Sequence, residues 1–256
     1  QLSGVVGADN VGFSTASYAA IFSSPAAGTN KSISVSGVSL TGTHASRYSL
    51  TQPTASATIN RVSATVTADP ITVSHGTSFS SSFTNSPLVG SDAIGQMVYT
   101  YAGINGTTYN ASTTRPTAVG TYSITPSGAG FTSGTATNYT LSYVASTLTI
   151  SALSSSITFA SLADRVYGVA PITLTATASS GLTVSFSSVT PSVCTVSTTT
   201  LTVVSNGICT VQATQAGNAV YTAASSVTQS FTIATKQISL SGVTGVDKNY
   251  DATVNA

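Results

Sequence analysis

Tyr139-Thr140-Leu141 begins a stretch that ends at Leu148-Thr149-Ile150, and this stretch decides the fold because it recurs along the chain. It has a Tyr-x-Leu step, a run of small polar residues and a short β-branched strand. The other copies run from Tyr48-Ser49-Leu50 to Ile59 and, in a looser form, from Tyr221 to Ile233. The tyrosine precedes the last isoleucine by 11, 11 and 12 residues. Recurrence at this spacing predicts tandem modules, and we call each copy a closing segment.

The composition predicts an all-β protein. Glu and Trp are absent, Met occurs once and 5% of residues are charged. Helices need Ala, Leu, Glu and Lys in quantity, whereas Thr, Val, Ile and Tyr fit a pleated surface. Disorder is the competing interpretation because Ser and Thr are abundant, but 41% of residues are hydrophobic and they alternate with polar ones, unlike a disordered chain.

Charge and hydropathy exclude two classes of partner. A net charge of +1 from seven scattered basic residues provides no stripe that could follow nucleic-acid phosphates. No apolar run approaches the roughly 20 residues that span a membrane. The chain begins with Gln1 and shows no signal peptide, so we expect a processed chain or an excerpt.

The closing segments divide the chain into a first segment (1–60), a second segment (61–151), a third segment (152–234) and a terminal segment (235–256). Short strands with turn signals every 8–12 residues are typical of immunoglobulin-like (Ig-like) sandwiches, so we predict three such modules in tandem. The terminal segment begins a fresh strand at Ile238-Ser239-Leu240-Ser241-Gly242-Val243. It has the pattern of an opening strand, but the other strands of a module do not follow it. We therefore predict that the first module is split between the two chain ends.

Two local patterns give finer predictions. The apolar alternation of residues 31–36 changes phase after Gly37, which predicts a β-bulge there. Residues 172–178 alternate without interruption, which predicts one continuous strand.

Known families share some of these motifs. Lys248-Asn249-Tyr250-Asp251-Ala252-Thr253 resembles the Lys-x-Tyr-Asp-Gly-Thr opener of the YDG domain, with Ala252 in place of Gly. The first segment is similar to the rest of that domain, from Leu2-Ser3-Gly4 to Arg47-Tyr48-Ser49-Leu50 and Ala57-Thr58-Ile59. The second segment resembles the MBG domain in Val119-Gly120-Thr121-Tyr122-Ser123-Ile124 and Asn138-Tyr139-Thr140-Leu141-Ser142-Tyr143, although His75 replaces the Tyr of its usual Tyr-Gly pair. The third segment resembles a bacterial Ig-like repeat in Val166-Tyr167-Gly168, Ala178-Ser179-Ser180-Gly181-Leu182 and Gln215-Ala216-Gly217-Asn218.

The resemblance implies a piece of a long bacterial repeat protein of adhesin or stalk type, either secreted or displayed on the cell surface. These families carry no known active site, so the resemblance transfers no catalytic residue and no cofactor to this chain.

Cys194 and Cys209 are the only cysteines in the chain. Cys194 shares strand parity with Val196, and Cys209 with Val211, so both side chains should face the core. Two core-facing cysteines on nearby strands of an exported protein predict a disulfide. The alternative is a pair of reduced, buried thiols.

Catalytic and metal sites find little support in the sequence. An enzyme would have to use His44 or His75, and no Gly-x-Ser-x-Gly elbow is present. Asp247 and Asp251 are the closest carboxylates and are more simply interpreted as turn residues beside Lys248. Six Asp spread over the chain do not assemble the 6–8 oxygen ligands of a calcium site. We predict no enzyme, no metal and no cofactor.

The sequence therefore favours a structural repeat of an extracellular stalk, fibre or filament. Its partner is another copy or a covalent neighbour, and the terminal segment completes the first segment of that copy. The predicted junction residues are Ile238, Leu240, Val243 and Tyr250. The alternative is an adhesin module that recognises a host receptor or a surface glycan through loops at the sandwich ends, with exposed tyrosines stacking on sugars.

Overall fold

The computed structural model describes residues 1–245, 247–250 and 252, and it confirms an all-β protein. Within those residues the regular elements are strands and two single 3₁₀ turns, Ala45–Arg47 and Ala136–Asn138. The chain divides into two compact units, Gln1–Ile150 and Ser151–Ala256. The described residues contain no helix that is long and apolar enough to cross a membrane. The finer division into three Ig-like modules stays a prediction.

The first segment forms two small antiparallel sheets. Its strands are β1 (Gly12–Ser14), β2 (Ala19–Phe22), β3 (Gly28–Ser36), β4 (Ser39–Thr41) and β5 (Thr54–Ile59). One sheet pairs β1 with β4, and the other has the order β2-β3-β5. The predicted bulge at Gly37 is wrong, because β3 ends at Ser36 and β4 belongs to the other sheet. Gly37 has φ +74°, and a Cβ there would lie 1.9 Å from the carbonyl oxygen of Ser17, so the chain changes sheets at a residue that must be glycine.

The second segment forms a four-stranded and a three-stranded sheet. Its strands are β6 (Val62–Ala68), β7 (Ile71–Ser74), β8 (Phe83–Asn85), β9 (Ala93–Ile104), β10 (Gly120–Ser133), β11 (Tyr139–Val144) and β12 (Ser146–Ser151). The sheet orders are β7-β12-β10-β9 and β11-β6-β8, and the β11–β6 pair is parallel. Both sheets contribute to a core cluster of Ala68, Tyr101, Tyr122, Ile124, Leu148 and Ile150.

The third segment forms three sheets. Its strands are β13 (Ile157–Thr158), β14 (Arg165–Val166), β15 (Ile172–Thr173), β16 (Thr177–Ala178), β17 (Ser185–Ser188), β18 (Cys194–Ser197), β19 (Thr200–Val203), β20 (Gly207–Gln215) and β21 (Ala224–Ala234). The sheet orders are β13-β16, β14-β21-β20-β17 and β15-β19-β18. A core cluster contains Phe159, Leu174, Cys194, Leu201, Cys209, Val211, Ala213, Phe231 and Ile233.

The prediction of one strand over residues 172–178 is wrong. The alternation is real, but β15 pairs with β19 whereas β16 pairs with β13. Leu174, which is buried, lies between the two short strands and packs into the core. A change of sheet keeps the apolar positions pointing inward, so alternation alone could not reveal the break.

Candidate functional site

The tyrosine of each of the first two closing segments follows a 3₁₀ turn. Tyr48 ends the turn Ala45–Arg47, and Tyr139 ends the turn Ala136–Asn138. Each tyrosine donates its backbone N–H to the carbonyl oxygen of the first residue of its turn, Ala45 or Ala136, and each adopts extended φ and ψ angles. The turn therefore ends in a strand-like residue in both segments.

The two tyrosine hydroxyl groups make matching hydrogen bonds. The Tyr48 hydroxyl donates to Asp9 Oδ2 at 2.8 Å and accepts the Val6 N–H at 3.0 Å. The Tyr139 hydroxyl donates to Asp92 Oδ2 at 2.7 Å. It accepts the Val89 N–H at 2.9 Å. In each case one short turn supplies both partners, so one phenol fixes the turn to the closing segment.

A repeated Val-Gly-x-Asp turn supplies these partners, and the sequence analysis missed it. The copies are residues 6–9 and 89–92, and Asp9 and Asp92 each donate their N–H to the valine carbonyl of their own turn. Gly7 and Gly90 have φ +57° and +60°, the left-handed region that favours glycine. The valine precedes its tyrosine by 42 and 50 residues, so a variable stretch separates the two motifs. A search for the turn together with the tyrosine would have found both.

Burial raises the pKa of the Tyr139 phenol, and the hydrogen bond to Asp92 raises it further. The hydroxyl group therefore stays protonated and remains a donor to the carboxylate. Around Asp9 the setting is more open, and the Arg47 guanidinium lies 3.2 Å from Asp9 Oδ1. Exposed ion pairs of this kind contribute little to stability.

A parallel strand partner distinguishes the second closing segment from the first. Tyr139 pairs with Val62, Leu141 with Ala64 and Tyr143 with Val66 along β11 and β6. Ala64 and Val66 are buried, so β6 brings the opening strand of the second segment into its core. In the third segment Tyr221 forms a parallel bridge with Leu153, again a residue from the start of the same segment.

The corresponding residues of the first segment, Tyr48–Pro53, belong to no strand. Among the described residues, residues 49–53 form no backbone-to-backbone hydrogen bond. All of them except Gln52 line a groove of about 570 Å³, together with Leu2, Phe13, Tyr18 and Val38. An unpaired backbone stretch and a groove therefore occur side by side at the residues that correspond to β11, the strand that pairs with β6 in the second segment.

The first segment, in which every residue is described, contains no buried residue. Several of its large apolar side chains are instead exposed, and Val6 and Ile21 have exposed fractions of 72% and 67%. Phe13 and Tyr18, which line the groove, are also exposed. The sheets of the first segment thus form without the core that the other two segments have.

The four predicted junction residues lie on the terminal segment, outside any strand. Ile238 is 91% exposed and Leu240 is 87% exposed, and Val243 and Tyr250 are also largely exposed. The YDG-like opener of residues 248–253 lies partly outside the described residues, because Asp251 and Thr253 are not among them. The junction stays a prediction, and within this chain these four side chains have no packed environment.

The structure joins Cys194 to Cys209, 15 positions later in the sequence, by a disulfide with Cα atoms 5.7 Å apart. Cys194 lies on β18 and Cys209 on β20, so the bond links two sheets through the core of the third segment. A disulfide is compatible with an oxidising compartment such as the cell exterior.

The two histidines lie in different settings. His44 Nδ1 accepts the Asn10 N–H at 2.9 Å and lies 3.3 Å from Asp9 Oδ1, within the turn that Tyr48 holds. His75 lines a groove of about 490 Å³ with Phe79 and Arg115, whose guanidinium lies 5.7 Å from the Phe79 ring centre. No group of three or more His, Cys, Asp or Glu that could hold a metal occurs within the part of the chain that the structure describes.

Comparison with known proteins gives one match. A family model described as the YDG domain matches residues 1–56, which supports the YDG resemblance of the first segment. No curated protein matches the chain.

Proposed function

We propose that this chain is a non-catalytic structural repeat of an extracellular bacterial stalk, fibre or filament. Copies are joined head to tail, and the terminal segment of one copy completes the first segment of the next. The observation that carries the proposal is the contrast between the unburied first segment and the exposed apolar terminal segment. Each has the apolar surface that the other needs to form a core.

The terminal segment has the pattern of a half-buried strand. Ile238, Leu240 and Gly242 alternate with Ser239 and Ser241, so one face is apolar or small and the other carries hydroxyl groups. An extended segment of this kind binds to a sheet edge through backbone hydrogen bonds, and its apolar side chains fill the groove beside that edge. The unpaired backbone of residues 49–53 and the groove beside it offer both kinds of contact.

Low charge is consistent with edges that are meant to be paired. Sheet edges commonly carry Lys or other charges that block association with a second sheet. Only seven basic and six acidic residues occur in 256. The first and terminal segments therefore have few charges to oppose strand addition.

The test is the association of the full chain, measured by sedimentation velocity over a wide range of concentration and by electron microscopy. We expect head-to-tail oligomers that lengthen with concentration. Replacing Ile238 and Leu240 together by Asp would bury two unpaired charges, so association should weaken at least about a hundredfold.

A matched control replaces Ser239 and Ser241 by Asp. These changes add the same charge to the same segment but on the face that we expect to stay in solvent. Association should then weaken far less. A monodisperse monomer at every concentration, with the terminal segment folded onto its own first segment, would contradict the proposal.

The junction between copies can be a peptide bond in a long tandem array or a contact between separate subunits. Native material boiled in denaturant and reductant distinguishes them. Separate subunits migrate near 25.5 kDa, whereas a continuous array migrates far above it. The adhesin alternative, with recognition of a receptor or glycan by loops, has no comparable observation among the described residues.

A further inference from the structure

We propose a defined register for the head-to-tail junction, an inference that rests on the proposed function. Residues 236–240 of one copy pair as a parallel strand with residues 48–52 of a second copy. Lys236 lies opposite Tyr48, Ile238 opposite Leu50 and Leu240 opposite Gln52. In the receiving copy, residues 236–240 take the place that β6 has in the second segment.

A spacing shared by two segments fixes this register. In the second segment the parallel partner of the closing tyrosine is Val62, three residues after Ile59, which ends the preceding closing segment. In the third segment it is Leu153, three residues after Ile150. The corresponding position after Ile233 is Lys236. If the first segment follows the same rule, Lys236 is the residue that pairs with Tyr48.

The side chains fit this register on the inward face. Ala64 and Val66 of β6 are buried, and their counterparts in the terminal segment are Ile238 and Leu240. Ala68, also buried, corresponds to Gly242, so the last inward position is small in both. The apolar residues of the terminal segment therefore fall where a core needs them.

Val62 begins the inward face and is 41% exposed, so its counterpart Lys236 can keep its ammonium group in solvent at the start of the strand. The outward face fits as well. Thr65 Oγ1 and Ser142 Oγ lie 3.0 Å apart across the β6–β11 pair. Their counterparts are Ser239 and Thr51, again two hydroxyl side chains opposite each other. A shift by one residue would turn Ile238 and Leu240 to solvent and the serines to the core.

Pro53 ends the proposed pairing of residues 48–52 with the terminal segment. Proline has no N–H and is confined to strand ends and edges, so the ladder stops after Gln52. The carbonyl oxygen of Val38 already accepts a hydrogen bond from Gln52 Nε2 at 2.8 Å, which holds the end of the receiving edge in place.

Cysteine cross-linking between full-length chains tests the register. One chain carries Thr51→Cys and the other carries Ser239→Cys, both at outward-facing positions, and the mixture is oxidised gently at a concentration that allows association. The native disulfide is fully buried and does not interfere. Facing residues on paired strands lie within disulfide range, whereas a residue two positions along is displaced by about 6.6 Å along the strand and lies beyond the usual Cα–Cα distance of a disulfide.

The matched control is Ser241→Cys, which has the same face and chemistry but lies two residues away. We expect Thr51→Cys to cross-link with Ser239→Cys at least about tenfold faster than with Ser241→Cys, because only the first pair meets the geometry of a disulfide. A second in-register pair, Ser49→Cys with Gln237→Cys, should behave like the first pair and guards against a folding defect in one variant.

Each result has one meaning. Faster cross-linking by Ser241→Cys, in chains that still associate in sedimentation, overturns the register and leaves the proposed function intact. Cross-linking without preference between the two serine positions also overturns the register. Failure of the unmodified chain to associate at any concentration overturns the proposed function and the register together.

Discussion

The first and second segments share one local structure, which we call the tyrosine corner, but differ in their cores. In both, a 3₁₀ turn precedes a tyrosine whose hydroxyl group binds the Asp side chain and the Val N–H of a Val-Gly-x-Asp turn. The second segment also contains β6, which pairs with its closing segment and is buried. The first segment has no such strand and no buried residue. The tyrosine corner thus forms in a segment that has no core. The segment that has buried residues is the one that also has an opening strand.

The paired strands show how closely the two segments correspond. Ile124 on β10 pairs with Ser146, four residues before Ile150, and Ile33 on β3 pairs with Ala55, four residues before Ile59. Ile124 is fully buried, whereas Ile33 is half-buried. Equivalent positions on equivalent strands therefore differ mainly in what covers them.

The largest expected effect comes from truncating these two isoleucines. Ile124→Ala should lower the free energy of unfolding of its unit by about 2–5 kcal/mol, because it leaves a cavity in a packed core. Ile33→Ala should cost less than about 1 kcal/mol in the dilute chain, because little packs against it. Urea unfolding followed by tyrosine fluorescence measures both, since the chain has no Trp.

Assembly should make the cost of Ile33→Ala more like the cost of Ile124→Ala. Once a terminal segment covers the first segment, Ile33→Ala should weaken head-to-tail association, whereas Ile124→Ala, measured where the protein is still folded, should not. Equal costs for both changes in the dilute chain would show that the first segment has a core of its own.

The disulfide of the third segment gives the next effect. Replacing Cys194 and Cys209 together by Ser should destabilise that segment by roughly 3 kcal/mol, the entropy of closing a loop of about 15 residues. Thermal unfolding followed by circular dichroism measures the loss. The contrast between the first and second segments should not change, and a matching loss of stability in the unit Gln1–Ile150 would contradict the separation of the two units.

The two tyrosine corners give a smaller effect. Tyr139→Phe removes a buried hydroxyl group and leaves the Val89 N–H without its partner, so the second segment should unfold at a lower urea concentration. Tyr48→Phe should lower the midpoint less, because water can replace the hydroxyl group in the exposed first segment. Urea titration of the two variants side by side measures the difference, and a larger effect of Tyr48→Phe would show that the first corner is the more important one.

The sequence predicted the class of fold, because composition and alternation report directly on strands. It also placed two cysteines on core-facing positions, and the structure has them bonded. The sequence did not reveal that residues 172–178 divide between two sheets, since alternation is unchanged when a strand crosses from one sheet to another. It could not distinguish a bulge at Gly37 from a change of sheet, because both begin with a phase shift at a glycine.

The candidate junction was predictable in part. The alternation of residues 238–242 is visible in the sequence, and so is the YDG-like opener of residues 248–253, far from the first segment. The register was not, because it depends on which residue pairs with each closing tyrosine, and the parallel pairs of Tyr139 with Val62 and Tyr221 with Leu153 are long-range contacts. The sequence shows that Val62 and Leu153 each lie three residues after a closing isoleucine, but only the fold shows that these residues pair with the closing tyrosines.

The most direct test of the central claim is amide hydrogen exchange of the full chain as a function of concentration. Residues 49–52 and 237–242 should exchange rapidly in the dilute monomer and become protected together as oligomers form, while the strongly paired β10 and β20 keep the same protection throughout. Protection of both segments in the dilute monomer would show that each chain completes its own first segment. Oligomers in which both segments still exchange rapidly would show that the copies are joined elsewhere, and either result would contradict the account.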